Sequence, residues 1–165
     1  MVLEQIQETY FSLLPFLEGN VLLQLIFIFV LSLIPFFESY GAIPFGLMLG
    51  FPTIPVMIVA IIGNWVSVMA FIWGIDKLRS KIKSKKKKKE KEPSKRAIRA
   101  KHYFEKYGVP GVALAGILIA FHLAAGIALA AGANRAYVSL WMTIGIVLWA
   151  VIIGVLFISG ITVIS

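Results

Sequence analysis

The sequence predicts an all-α integral membrane protein, with two long transmembrane helices and two broken, re-entrant helical hairpins. Three observations lead there. Hydrophobic residues make up 59% of the 165 positions, against roughly half in a soluble domain. Charge is also segregated. Residues 76–107 hold 15 of the 16 Lys and Arg and four of the eight acids, a balance of +11; the rest carries Arg135 against Glu4, Glu8, Glu18 and Glu38, a balance of −3. Apolar sequence parted from charge in this way marks a chain that meets lipid. Third, the stretch "PFFESYGAIPFGLMLGFPTIP" sets a carboxylate, prolines and glycines directly behind a hydrocarbon run. A charge near the bilayer centre costs ~2.5–3.5 kcal/mol on insertion scales, and backbone groups freed there find no partner in lipid. Such a stretch should border water or protein.

The elements follow in chain order, as one membrane domain. Residues 1–18 read as an interfacial helix, with Leu3, Ile6, Tyr10, Leu13, Leu14 and Leu17 at helical spacing opposite Glu4, Gln7 and Glu8. Its acidic start does not fit a cleavable signal, so the first apolar segment is expected to stay in the protein. Residues 21–75 form a first hairpin-plus-helix unit. Within it, 54–75 is long enough to cross, since a span needs ~20 residues. By contrast 21–50 is interrupted by Pro35, Glu38, Pro44, Gly46 and Gly50, and Pro52 and Pro55 follow. Pro44, Gly46, Gly50 and Pro52 are the residues expected to shape this hairpin, the prolines marking non-helical backbone.

Residues 76–108 form a basic connector. Lys and Arg favour cytoplasmic loops, so it is expected in the cytoplasm. Its Lys run is low-complexity and self-repelling. The part after Pro93 reads as a short interfacial helix, with Ser94 as N-cap and Gly108 as its stop before Pro110. Residues 109–164 form a second hairpin-plus-helix unit. In 109–133, 13 of 25 residues are Ala or Gly, a composition that lets backbones approach closely; 137–164 has full spanning length. Both 21–50 and 109–133 are therefore read as re-entrant.

An internal repeat is visible in outline. Gly50 and Gly63 stand 13 apart, as do Gly132 and Gly145, at a common offset of 82. If both hairpins re-enter, the two long helices run in opposite directions and the halves form an inverted repeat. If 109–133 spans instead, the long helices are parallel. Both schemes accommodate the connector; the inverted one also puts Arg135 on the cytoplasmic side and is preferred. Inverted repeats with broken segments near the midplane are a recurring transporter plan.

Three residues stand out as pathway candidates: Glu38, Asn64 and His122. Glu38 either ends a short span at headgroup level or sits at a hairpin tip, where a carboxylate that binds and releases a proton can couple transport. Asn64 lies on a stripe with Ala60, Gly63, Ser67 and Gly74, interrupted by Phe71, that reads as a helix seam or as a pathway lining. Ser139, Thr143, Ala150 and Gly154 make a similar stripe on the last helix, with Gly145 off it. His122 is a pathway residue or one bonded to a freed carbonyl. His102, among basic neighbours, reads as a solvated loop residue.

No catalytic motif, carboxylate pair or phosphate-binding Gly loop is present, and cysteine is absent, so neither an enzyme nor a resident cofactor or metal is expected. Partners are membrane lipids, with anionic headgroups at the connector as one option. Nucleic acid is not expected, since the basic run lacks interleaved aromatics. Two long helices and two hairpins are few to enclose a pathway, so a homo-oligomer, a dimer, is anticipated. Non-transporting membrane scaffolding is the alternative from another class.

The stretch "FFESYGAIPFGLMLGFPTIPVMIVAIIGNWVSVMAFIWGIDKL" resembles the small multi-drug export protein family in its early Glu, Gly-Ile-Pro-like segment and Gly-Asn helix. The half beginning "YFEKYGVPGVALAGILIAFHLAAGIALAAGANR" is similar in outline. The resemblance covers about 36–164. It implies a polytopic transporter exporting small molecules, here read as ion-coupled, in the cytoplasmic membrane of a prokaryote. More distantly, both halves are similar to the DedA/VTT membrane superfamily, which has paired re-entrant hairpins and members implicated in moving polyprenyl phosphate carriers. That likeness implies Glu38, Pro44 and Gly46 at the first hairpin, with lipid-carrier translocation as the alternative function. The DedA-like second hairpin has arginines around a Phe and a Pro, whereas this chain has Phe121 and His122 without arginine.

Overall fold

The computed structural model describes residues 2–83 and 107–164, and every regular element among them is helical. The Lys run, His102 and the helix expected after Ser94 lie outside the described residues, apart from its last positions. The chain divides into two compact units: Met1–Ser67 with Ile146–Ser165, and Val68–Gly145. Two helices, α4 (Thr53–Lys83) and α8 (Arg135–Ile164), contribute residues to both. Over Thr53–Ile75 and Arg135–Gly160 they are long and apolar enough to cross a bilayer. Most of their exposed positions are apolar too, including Ile54, Ile58, Ile62, Trp65 and Trp73 on α4 and Leu140, Ile144, Val151 and Val155 on α8. Apolar surface on this scale belongs against lipid rather than water, and the chain is a membrane protein.

In the first unit, α1 (Val2–Leu13) is followed by a 3₁₀ turn (Pro15–Leu17), α2 (Val21–Ser32) and α3 (Glu38–Met48). The side chain of Asn20 caps α2 by accepting from Leu23 N at 3.1 Å. Helices of 12 and 11 residues reach only ~16–18 Å at 1.5 Å per residue, about half of the ~30 Å hydrocarbon layer. Neither crosses alone. They pack on each other: the rings of Phe27 and Phe45 are 6.2 Å apart, and a Cβ at Gly46 would lie 2.9 Å from Ile28 Cδ1 and 3.0 Å from Val56 Cγ1. Gly46 is thus where α2, α3 and α4 meet. Around it lies the core of Leu17, Ile28, Ile43, Leu47, Val56, Ala60 and Ala150. The apolar side of α1 meets this protein core. Tyr10 stacks edge-on to Phe45 at 5.3 Å, and Gln7 Nε2 donates to Met48 O at 3.1 Å.

Pro44 lies inside α3, and Pro55 in the first turn of α4. The sequence expectation that these prolines mark non-helical backbone holds only for Pro52, between the helices. The first turn of a helix tolerates a missing N–H, and packed neighbours let an interior proline stand in a membrane helix. Gly50 does the turning instead, at φ +75°. Its N–H reaches Leu47 O at 3.1 Å and that of Phe51 reaches Gly46 O at 3.0 Å, a Schellman-type stop that glycine allows.

The second unit takes the residues of α4 from Val68 on, helical residues 107–114 (α5), α6 (Gly116–Ile119), α7 (Phe121–Ala130) and α8 as far as Gly145. Gly108, expected as a helix stop ahead of Pro110, has φ +62° but stands near the start of α5. The run 109–133 is therefore three pieces, not one helix. Its break is Ala120, at φ 69° and ψ 139°, a conformation that glycine favours. The ring of Phe121 fills the space beside two glycines: a Cβ would meet it at 2.6 Å from Gly116 and at 2.9 Å from Gly145. Gly145, which the sequence sets off the small-residue stripe of the last helix, is buried and in close contact with Ala113 O.

Candidate functional site

The first unit breaks its apolar run between α2 and α3, and polar side chains gather there. Residues 33–37 leave the helix, with Phe36 at φ 69° and Glu38 at φ 49°. Both values lie in the left-handed region that L-residues other than Gly, Asn and Asp rarely take. The freed carbonyls are answered by side chains. Ser67 Oγ donates to Leu33 O at 2.8 Å, and Tyr40 Oη donates to Phe36 O at 2.9 Å. Ser32 Oγ donates to Phe29 O at 2.7 Å. Side-chain donors of this kind can satisfy backbone groups that a helix break frees away from water.

Glu38 opens α3 and is 0% exposed. Ser39, beside it, is 1% exposed, and Asn64 on α4 is 0% exposed. Asn64 Nδ2 donates to Ser39 Oγ at 3.1 Å, and Asn64 Oδ1 is buried with no hydrogen-bond partner. An acceptor left so costs ~1–3 kcal/mol. The Asn64 stripe is thus a seam and a polar site at once. Gly63 lies against Ser32 Oγ and Phe29 O, Ala60 is in the core, and Ser67 closes the break, whereas Gly74 faces open space.

His122 belongs to the second unit, near the start of α7 and 7% exposed. Its ring meets Phe71 edge-on, with centroids 5.5 Å apart at 73°. A Cβ at Gly126, one turn on, would lie 3.7 Å from the Phe71 ring. Phe71 interrupts the α4 stripe because α7 packs on it. Of the three pathway candidates, then, Glu38 and Asn64 lie in the first unit, where Asn64 bonds Ser39, the neighbour of Glu38 in the chain, and His122 lies in the second. Of the hairpin-shaping residues, Gly46 makes the close helix contact, Gly50 the turn, Pro52 the link into α4, and Pro44 stands within α3.

Sequence reasoning missed Ser39 and Ser32. Both were legible only as hydroxyls flanking the Glu38 break. It also missed a hollow of about 580 Å³ beside α1, lined by Glu4, Gln7, Glu8, Phe11, Ser12, Pro15 and Glu18.

Comparison with known proteins adds one finding. The family model described as "Putative small multi-drug export protein" matches residues 38–152, beginning at Glu38 and ending within α8. No curated protein and no solved structure matches.

Proposed function

We propose that this chain, which belongs to the small multi-drug export protein family, exports small molecules across a membrane by coupling them to an ion, with Glu38 as the coupling group. The observation that carries this reading is the complete burial of Glu38 at a helix break between two helices too short to cross. A membrane protein tolerates a carboxylate there when it serves a transport step. In this reading α2 and α3 form the first re-entrant hairpin, and α5 to α7 the second. Asn64 and His122 are polar lining.

The halves are read as an inverted repeat. The support is local and covers more than glycine spacing. The turns after α3 and α7 use the same three bonds at an offset of 82: Leu49 N to Phe45 O and Ala131 N to Ile127 O; Gly50 N to Leu47 O and Gly132 N to Leu129 O; Phe51 N to Gly46 O and Ala133 N to Ala128 O. Each is followed three residues after its glycine by a long helix, of 31 and 30 residues. The connector 76–108 is cytoplasmic in this arrangement, the membrane that of a prokaryotic cytoplasm, and two copies of the chain complete the pathway.

The test uses proteoliposomes of the full chain and a panel of small organic cations that includes ethidium. Wild type should move at least one of them in response to an imposed ion gradient, and Glu38→Gln should reduce that rate by two orders of magnitude or more. Equal rates in the two proteins would remove Glu38 from the mechanism. A reporter fused after Ser165 should appear outside the cell; a cytoplasmic reporter would replace the hairpins with four ordinary spans.

A further inference from the structure

The geometry points to a monovalent-cation site, selective for Na⁺ over large organic cations, formed by Asn64 Oδ1, Ser39 Oγ and the Glu38 carboxylate. It rests on the reading of Glu38 as a coupling group and names the ion. The first observation is Asn64 Oδ1, a strong acceptor shielded from solvent with nothing donating to it. Buried acceptors are nearly always satisfied, and an exception calls for a missing partner. The second observation fixes where that partner sits. The other end of the same amide donates to Ser39 Oγ at 3.1 Å, so the vacant carbonyl is held at the start of α3, beside Ser39 and one residue from Glu38.

The donor chemistry selects the class of ligand. Amide carbonyl, hydroxyl and carboxylate are hard oxygen donors, the set used by hard cations rather than zinc or copper. Charge selects among them. Glu38 is the one formally charged residue in α2, α3, residues 53–67 and residues 146–160, and Tyr40 is the one other titratable side chain in those segments. One carboxylate neutralises one monovalent cation; a divalent ion would leave a net positive charge in an apolar core, which is costly. Broken helices in transporters present oxygen donors to Na⁺ in this way. Ser67 and Tyr40 are already spent on the carbonyls of Leu33 and Phe36, which leaves Asn64 and Ser39 as the neutral ligands.

The experiment measures Na⁺ binding and transport on the same purified full-length protein. Thermal unfolding in detergent is followed as NaCl replaces choline chloride at constant ionic strength. Wild type should be stabilised by Na⁺ in a saturable way. Asn64→Ala should weaken Na⁺ at least tenfold. Ser39→Ala, a smaller change that keeps the fold if Asn64→Ala does not, should weaken it several-fold. An absence of Na⁺ stabilisation in wild type, or Asn64→Ala and Ser39→Ala binding as wild type, overturns the site. Proton-driven, Glu38-dependent transport that ignores Na⁺ also overturns it, yet leaves the proposed export function standing. Saturable, Asn64-dependent Na⁺ binding without any transport supports the site and removes the export reading instead.

Discussion

The two units solve one backbone problem with different means. Each interrupts an apolar run, restarts a short helix, turns through a left-handed glycine with the same bonds, and enters a long helix. In the first, five residues leave the helix and hydroxyls of Ser67 and Tyr40 satisfy the exposed carbonyls. In the second, the break is one alanine, and packing holds it: Phe121 wedges beside Gly116 and Gly145. A polar break can host a buried carboxylate, because its surroundings already hold donors and acceptors. An apolar break cannot do so at the same cost. That difference is why the coupling step is proposed at Glu38 rather than in the second unit, where His122 meets an aromatic ring.

If packing alone holds the second break, removing the wedge should have the largest effect on stability. Phe121 is 0% exposed, and Phe121→Ala should cost about 3 kcal/mol or more through the cavity it leaves. Phe37→Ala in the first unit should cost roughly 1 kcal/mol, because Phe37 is only half-buried and loses fewer contacts. Thermal unfolding of both variants in one detergent gives the comparison; equal losses would mean that the two breaks are held alike.

Next come the glycines that receive each break. At Gly63 a methyl would strike Ser32 Oγ and lie 2.9 Å from Phe29 O; at Gly145 it would lie 2.9 Å from both Ala113 O and the Phe121 ring. A backbone oxygen cannot swing aside, so both Gly→Ala changes should destabilise, by about 1–3 kcal/mol. Gly63→Ala should be the worse, since it also displaces a bonded hydroxyl. The reverse order would shift the tighter seam to the second unit.

The polar break makes a smaller claim. Ser67→Ala removes the donor to Leu33 O and should cost about 1 kcal/mol, whereas replacing Thr143, whose hydroxyl bonds Ser139 O four residues back within α8, should cost less. Paired unfolding measurements decide between them. Equal costs would show that Ser67 does nothing special for the break.

How much of this was readable in the sequence follows from what each feature depends on. The long helices were legible because length and composition decide them, although α4 continues to Lys83 where hydropathy stops at Ile75. Nothing in "DKLRSKIK" breaks a helix. Burial of Glu38 was legible from cost: a charge inside hydrocarbon must be there for a reason. Its surroundings were not, since Asn64 finds Ser39 across 25 residues, and no local pattern announces that. The break at Ala120 was invisible as a residue choice, because alanine is the best helix former. Tertiary contact with Phe121 overrides it. Pro44 misled in the other direction, since neighbours excuse a proline that an isolated helix would reject.

The smallest expected effect sharpens the same contrast at the strained residue itself. Ala120 holds φ 69° with a Cβ present, and a backbone of that kind costs on the order of 1 kcal/mol or more relative to glycine. Ala120→Gly removes the strain but frees the unfolded chain, which takes back roughly 0.5–1 kcal/mol. The net gain should therefore be a few tenths of a kcal/mol, a small rise in melting temperature. A control separates strain relief from a general tolerance of glycine. Gly74→Ala lies on a helical position with nothing within 4 Å and should be stabilising by about 0.5–1 kcal/mol. If Ala120→Gly instead lowers stability by as much as Gly74→Ala raises it, the alanine is unstrained, and the second break follows from the sequence around it rather than from the Phe121 wedge.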